Sequence, residues 1–167
     1  RDLHPAPTRL SSDLDLIAEQ IHNANKDKFA DVKYTLPQVT IALRTVYKDP
    51  IFHEKFVKSK MSENKWSSGF CATASVFIYE MFGKSDVWDF MAVRYKDWKF
   101  GSVVFLRDKA TGLNFGTTGE HFSETVPYEI GIPFADEQMS KLNTANKEIF
   151  GKAVMFELRC LYGNSGK

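Results

Sequence analysis

The residue types able to do chemistry in this chain converge on one cysteine. In "SSGFCATASVFIYEMFG" (67–83), Cys71 follows Ser67, Ser68 and Gly69 and precedes an apolar run. A helix beginning at Ser67 or Ser68 would hold Cys71 within its first turn. There the unpaired backbone N–H groups and the positive end of the helix dipole favour a thiolate. With a histidine nearby, such a sulfur becomes a nucleophile for an amide or thioester carbonyl. The opposing reading is as direct. Free cysteine is among the most buried residue types, and a helical cysteine in an aromatic-rich chain is ordinarily a small apolar core residue.

Other chemistries find less support. "GFCATAS" lacks the paired glycines and the lysine of a phosphate loop, so no nucleotide or other cofactor is expected. The four histidines and two cysteines have no metal-ligand spacing, and none is read as a ligand. Twenty-two basic residues against 21 acidic ones leave a net charge of +1, which gives no electrostatic footprint for nucleic acid or a membrane surface. "KDKFADVKY" and "RYKDWKF" mix lysine with aromatics as a single-strand platform would, but acidic residues are interleaved. No apolar run approaches the length of a membrane span. The opening "RDLHPAPTRL" shows no signal-peptide pattern, and Cys71 and Cys160 form no disulfide framework, so reduced thiols in a cytoplasm are the default.

The elements that must position Cys71 follow from periodicity. At 167 residues, 43% hydrophobic with 14 Phe, the chain is expected to form one domain around a real core. Residues 1–10 read as an extended lead, with Pro5 and Pro7 opposing a helix. A first helix starts at "SSDLDLIAEQIHNAN", capped by Ser11 or Ser12, with Leu14, Ile17, Ala18 and Ile21 on one face. "KDKFADVKYT" is a loop. A second helix opens at Pro37 with Val39, Leu43 and Val46 inward. "PIFHEKFVKSKM" gives a third, with Ile51, Phe52, Phe56 and Val57 inward. In the cysteine helix, Ala74, Phe77, Ile78 and Met81 would pack on a sheet, and the small Ala72, Ala74 and Ser75 would let a strand approach. Residues 87–95 and 101–109 read as strands. The second turns at "ATGL" into 113–118 as an antiparallel hairpin. "GEHFSETVPYEIGIP" is a loop carrying His121. Residues 135–150 read as a helix with Met139, Leu142 and Ile149 near one face. Residues 152–162 alternate Val154, Phe156, Leu158, Cys160 and Tyr162, which predicts a last strand with Cys160 inward. The order gives an α+β domain: a helical N-terminal part (1–66), then a core (67–162) of a Cys-bearing helix packed on a small antiparallel sheet.

Several short motifs from Gly69 to about Phe122 resemble a group of small bacterial and phage proteins in the papain-like cysteine peptidase superfamily. The cysteine helix of that group reads C-x-x-A-S and closes with a Tyr and a Gly; here these are Cys71, Ala74, Ser75, Tyr79 and Gly83. Met91, Val93 and Arg94 match its next strand, "FLRDKATG" (105–112) its hairpin, and Gly116, Thr118 and Phe122 a following element; "VPYEIGI" is also similar. The resemblance covers about a third to a half of the chain and implies a papain-like core. It also implies a His where Val103 stands and an Asp where Gly116 stands. A valine cannot take the thiol proton and a glycine cannot orient an imidazole.

Two expectations follow. In the first, the frame is kept and the chemistry lost, in a phage or bacterial cytoplasmic protein (host cytoplasm if phage-encoded) that binds or inhibits a protein partner. The contact surface would be the cleft around Cys71, His121 and the stretch Trp98, Phe100 and Ser102, whose aromatics and lysines suit a protein interface. In the second, the protein is an active thiol hydrolase. The hairpin register puts Val103 opposite Thr118, so His121, three residues on, could reach the same end of the sheet as base, oriented by Glu120 or Glu124. His121 as an ordinary loop histidine is the alternative. His22 is expected on a helix surface, His53 near Cys71 only if the third helix folds over it, and His4 in the lead.

Overall fold

The computed structural model describes residues 6–52, 68–94, 102–117, 126–133 and 144–164. The architecture is α+β, with helices flanking an antiparallel four-stranded sheet. Helix α1 (Ala6–Ala24) and α2 (Leu36–Lys48) precede α3 (Ser68–Met81), the cysteine helix. Strands β1 (Trp88–Arg94), β2 (Ser102–Asp108), β3 (Asn114–Phe115) and β4 (Ile132–Pro133) follow, and α4 (Thr144–Tyr162) closes the fold. The sheet order is β3-β2-β1-β4.

Helix α1 starts earlier than the prolines suggest. Pro7 is its second residue, where the missing N–H has no intrahelical partner in any case, so residues 6–10 are helical and not extended, and the helix does not begin at Ser11 or Ser12. Leu14, Ala18 and Ile21 are buried as their spacing requires, with Ile17 packed beside them. The start of α2 is a capping box. The Thr35 hydroxyl accepts from Gln38 N–H (3.2 Å), and the Gln38 side chain accepts from Thr35 N–H (2.9 Å). Val39, Leu43 and Val46 are buried. Residues 50–52 are helical; Phe52 is buried, but Ile51, expected inward, is exposed, and Phe56 and Val57 lie outside the described residues.

Strands β1 and β2 pair from Trp88↔Asp108 to Arg94↔Ser102. The β2–β3 hairpin pairs Leu106↔Phe115 and Arg107↔Asn114, which is the register expected from the "ATGL" turn. The segment read wholly as a loop after His121 contains β4, which adds to the free side of β1 through Met91↔Pro133 and Ala92↔Ile132. A proline is tolerated there because β4 is an edge strand.

The largest departure is at the C-terminus. Residues 152–162 are helix, not strand. Phe150, Val154 and Leu158, four apart, are fully buried, while Phe156 and Cys160 are exposed. Cys160 therefore does not face inward, and Ile149, expected near the buried face, is also exposed. Met139 and Leu142 lie outside the described residues. Helix α4 packs on α2 and α3, so α3 lies between the sheet and α4.

Candidate functional site

Three contacts fix α3 on the sheet. The Ser75 hydroxyl donates to the Val104 carbonyl (3.3 Å), a close approach that a larger residue would block. The Tyr79 ring lies 4.3 Å from that of Phe90. The Phe82 carbonyl, just past the helix, accepts from Trp88 Nε1 (2.8 Å). Ala74 and Ile78 are fully buried. Phe77 departs from expectation: it points at α4, edge-on to Phe150 (6.0 Å) and beside Gly151, not at the sheet. Gly83, at φ +95°, ends this segment; a β-carbon there would lie 2.4 Å from Val87 Cγ2.

These contacts run in order along the ladder. Ser75 meets Val104, Tyr79 meets Phe90 (paired with Leu106), and Phe82 meets Trp88 (paired with Asp108). The start of α3 therefore lies toward the Arg94–Ser102 end of the sheet. Cys71 is the fourth residue of α3, so its backbone is in the first turn, where the dipole argument applies. Ser102 is the first residue of β2. The side chains of Cys71 and Ser102, and residues Trp98, Phe100 and His121 with Glu120 and Glu124, lie outside what is described, as do His4 and His53. His22, expected on the surface, is half-buried; its Nδ1 accepts from Leu36 N–H (3.3 Å), and its ring lies 5.4 Å from Phe29.

Strand alternation assigns the remaining side chains to two faces. Trp88, Phe90, Val104, Leu106, Asp108 and Phe115 share the face on which α3 packs, as the contacts of Trp88 and Phe90 show. Val103, Phe105, Arg107, Asn114 and Gly116 share the other. That face is covered by the segment around Tyr128. The Tyr128 ring lies 4.7 Å from Phe105, its hydroxyl donates to the Gly116 carbonyl (3.4 Å), and its own carbonyl accepts from Arg107 Nη2 (3.3 Å). A β-carbon on Gly116 would sit 2.2 Å from the Tyr128 hydroxyl. Val103 is 2% exposed. Val103 and Gly116, where the resemblance implies a His and an Asp, thus face away from the helix that holds Cys71. A histidine at 103 would point off the wrong side of the sheet, and an aspartate at 116 would have to displace Tyr128.

Only Asp108 among the described side chains on the α3 face is titratable, and it is fully buried. Its carboxylate accepts from Ala110 N–H (3.3 Å), Thr111 N–H (3.0 Å), the Thr111 hydroxyl (2.6 Å) and Asn25 Nδ2 (3.1 Å). It is the cap of the hairpin turn. It also stands at the opposite end of β2 from Ser102, roughly 20 Å away at ~3.3 Å per residue. Asp108 therefore cannot serve the cysteine.

Reading 152–162 as a strand conceals one further feature. Between α3 and α4 lies an open hollow of about 270 Å³, floored by Phe77, Gly151 and Met155 and edged by Glu148, Lys152 and Arg159. Helical spacing over 148–159 is the signal that would have found it. Among the described residues, no group of three or more His, Cys, Asp and Glu could hold a metal ion, and no helix is long and apolar enough to cross a membrane. Compared with known protein families, curated proteins and solved structures, the chain matches none.

Proposed function

We propose that this chain is a protein-binding or inhibitory module on a cysteine-hydrolase-like frame, working in a bacterial or phage-infected cytoplasm without catalysis of its own. One observation carries the reading. On the sheet face beneath α3, the described side chains offer no acid or base to Cys71, because the single carboxylate there is saturated by a turn at the far end of the strand. The frame enters only as a helix that opens at the cysteine and packs on an antiparallel sheet. The substitutions at Val103 and Gly116 no longer argue for lost catalysis, since those positions face away from α3. The contact surface is assigned to the Arg94–Ser102 end of the sheet, with Cys71, Trp98, Phe100, Ser102 and His121.

The competing reading, a thiol hydrolase using Cys71 and His121, draws on the place of Cys71 in the first turn of α3. Alkylation separates the two. Cys160 is exposed and would label first, so a Cys160→Ser background leaves Cys71 as the one thiol. The binding reading expects iodoacetamide labelling of Cys71 to be slow at neutral pH and to rise as an ordinary thiol does, near ~8.5. Labelling that saturates well below pH 7, and loses this behaviour in His121→Ala, establishes the hydrolase instead. A captured protein retained by Cys71→Ala and released by Trp98→Ala would place the contact on the proposed surface.

A further inference from the structure

The hollow between α3 and α4 has a floor and a rim of different chemistry. Gly151, Met155 and the half-buried ring of Phe77 make the floor apolar. Glu148, Lys152 and Arg159 stand around it, at spacings that keep them with Met155 on one face of α4. Gly151 sits inside α4, where glycine is less favourable than alanine. Packing within the chain does not demand it, because a β-carbon at 151 would only touch the Phe77 ring at an ordinary 3.5 Å. That β-carbon would fill part of the floor. The glycine leaves the ring uncovered there and the depression open toward solvent.

The charges of the rim are unevenly matched. Lys152 pairs with Glu148 (3.9 Å), and the neighbouring Lys147 pairs with Glu80 of α3 (3.1 Å). Each of these carboxylates thus has its lysine. Arg159, one turn beyond Met155, has no hydrogen-bond or ion-pair partner among the described residues. A guanidinium is a planar fork of donors that meets a carboxylate at two points. The floor asks for a flat apolar body, and the Met155 thioether makes favourable contacts with aromatic rings. At about 270 Å³ the hollow falls just below the ~300–1,000 Å³ of drug-sized pockets, so it suits one ring or two fused rings. We propose that the hollow between α3 and α4 binds a small aromatic carboxylate, with its ring over Phe77, Gly151 and Met155 and its carboxylate on Arg159. The site is on the α4 side of α3, away from the sheet, and does not depend on the reactivity of Cys71.

Titration of the full chain with 2-naphthoate, followed by amide NMR, tests it, with the uncharged 2-naphthamide as the control ligand. An open hollow holds so small a ligand weakly, with a Kd on the order of a millimolar. The expected result is saturable shifts confined to 148–159 and the surroundings of Phe77. The amide should bind roughly tenfold more weakly or worse, since it forfeits the charge-assisted pair. Arg159→Gln should bring naphthoate down to the level of the amide, and the exposed position leaves the fold intact. Gly151→Ala should raise the thermal midpoint while weakening naphthoate several-fold, a combination that loss of folding cannot produce. Absence of shifts at roughly ten times the expected Kd overturns the proposal, as do shifts that map elsewhere. Equal binding of acid and amide, or an Arg159→Gln variant that binds naphthoate as the parent does, overturns it as well and leaves a plain apolar depression.

Discussion

Asp108 illustrates how one side chain decides a local structure. Its carboxylate receives two backbone N–H groups and the Thr111 hydroxyl from the turn that follows, and the amide of Asn25 from α1. Asn25 Nδ2 also donates to the Ile21 carbonyl, while its buried oxygen makes no hydrogen bond. The reverse orientation would set that oxygen against a carboxylate, so Asp108 dictates which way the amide points. Removing the carboxylate strands the buried Asn25 amide and releases the three donors that hold the turn. Asp108→Ala should therefore lose about 3 kcal/mol or more in urea unfolding, because each bond to a charged group contributes ~1.5–3 kcal/mol and its orphaned partner adds a penalty. Adding Asn25→Ala to that variant should cost less than it does alone, since the shared bond is already gone. The "ATGL" stretch made the turn legible in sequence. The partner in α1, 83 positions away, was not, because nothing local marks it.

At the scale of elements, legibility followed how far each pattern stands alone. The α2 face, the strands β1 and β2 and the hairpin register were readable because a single period held over enough residues. The start of α1 was misread because a proline that bars a helix interior is harmless in the first turn. Strand β4 has two residues and exists only through β1, so it had no pattern to read. In α4, Val154, Phe156, Leu158, Cys160 and Tyr162 alternate as a strand would, yet Phe150, Val154 and Leu158 also fit a helical face, and tertiary packing on α2 and α3 selected the latter. Of the candidate site, the helix that holds Cys71 in its first turn was legible; the face occupied by Val103 was not, since an alignment of motifs carries no strand phase. Substitutions in α4 distinguish helix from strand. A strand would bury 158 and 160 on the same face. The helix predicts that Leu158→Ala costs about 2–5 kcal/mol while Cys160→Ser stays within about 0.5 kcal/mol. Parallel denaturant titrations of the two variants provide the comparison.

For the molecule as a whole, the N-terminal helices complete the core and are not an appendage to it. Phe29 meets Phe82 edge-on (5.0 Å), Tyr47 stacks on Phe150 (6.1 Å) and shares a hydrogen bond with Thr117 (3.0 Å), and Tyr34 donates to the Gly163 carbonyl just past α4 (2.6 Å). Tyr162, at the end of α4, is held above the usual phenol range, first by burial and then by the Asp15 carboxylate of α1. Its ionisation is thus harder in the folded chain than in the unfolded one. Stability is fully supported below pH ~10 and should fall as pH rises through the raised value, and Tyr162→Phe should flatten that decline in thermal melts. The same contacts bear on a division at residue 67. A fragment of 67–167 would keep the whole sheet, α3 and α4, but it would expose Phe82, Phe150, Val154 and Leu158, all fully buried in the intact chain. It would also lose the Asn25 donor to Asp108. Covering four large apolar side chains contributes roughly 6–12 kcal/mol, at ~1.5–3 kcal/mol each, which is comparable to the entire net stability of a domain this size. The full chain should therefore unfold in one transition, with tryptophan fluorescence and far-UV circular dichroism coinciding. The isolated 67–167 fragment should show no cooperative melt and should bind a hydrophobic dye, as a collapsed but unpacked chain does. A fragment that melts sharply near the parent temperature would mean that the sheet and its two helices hold a core of their own, with α1 and α2 merely resting on it.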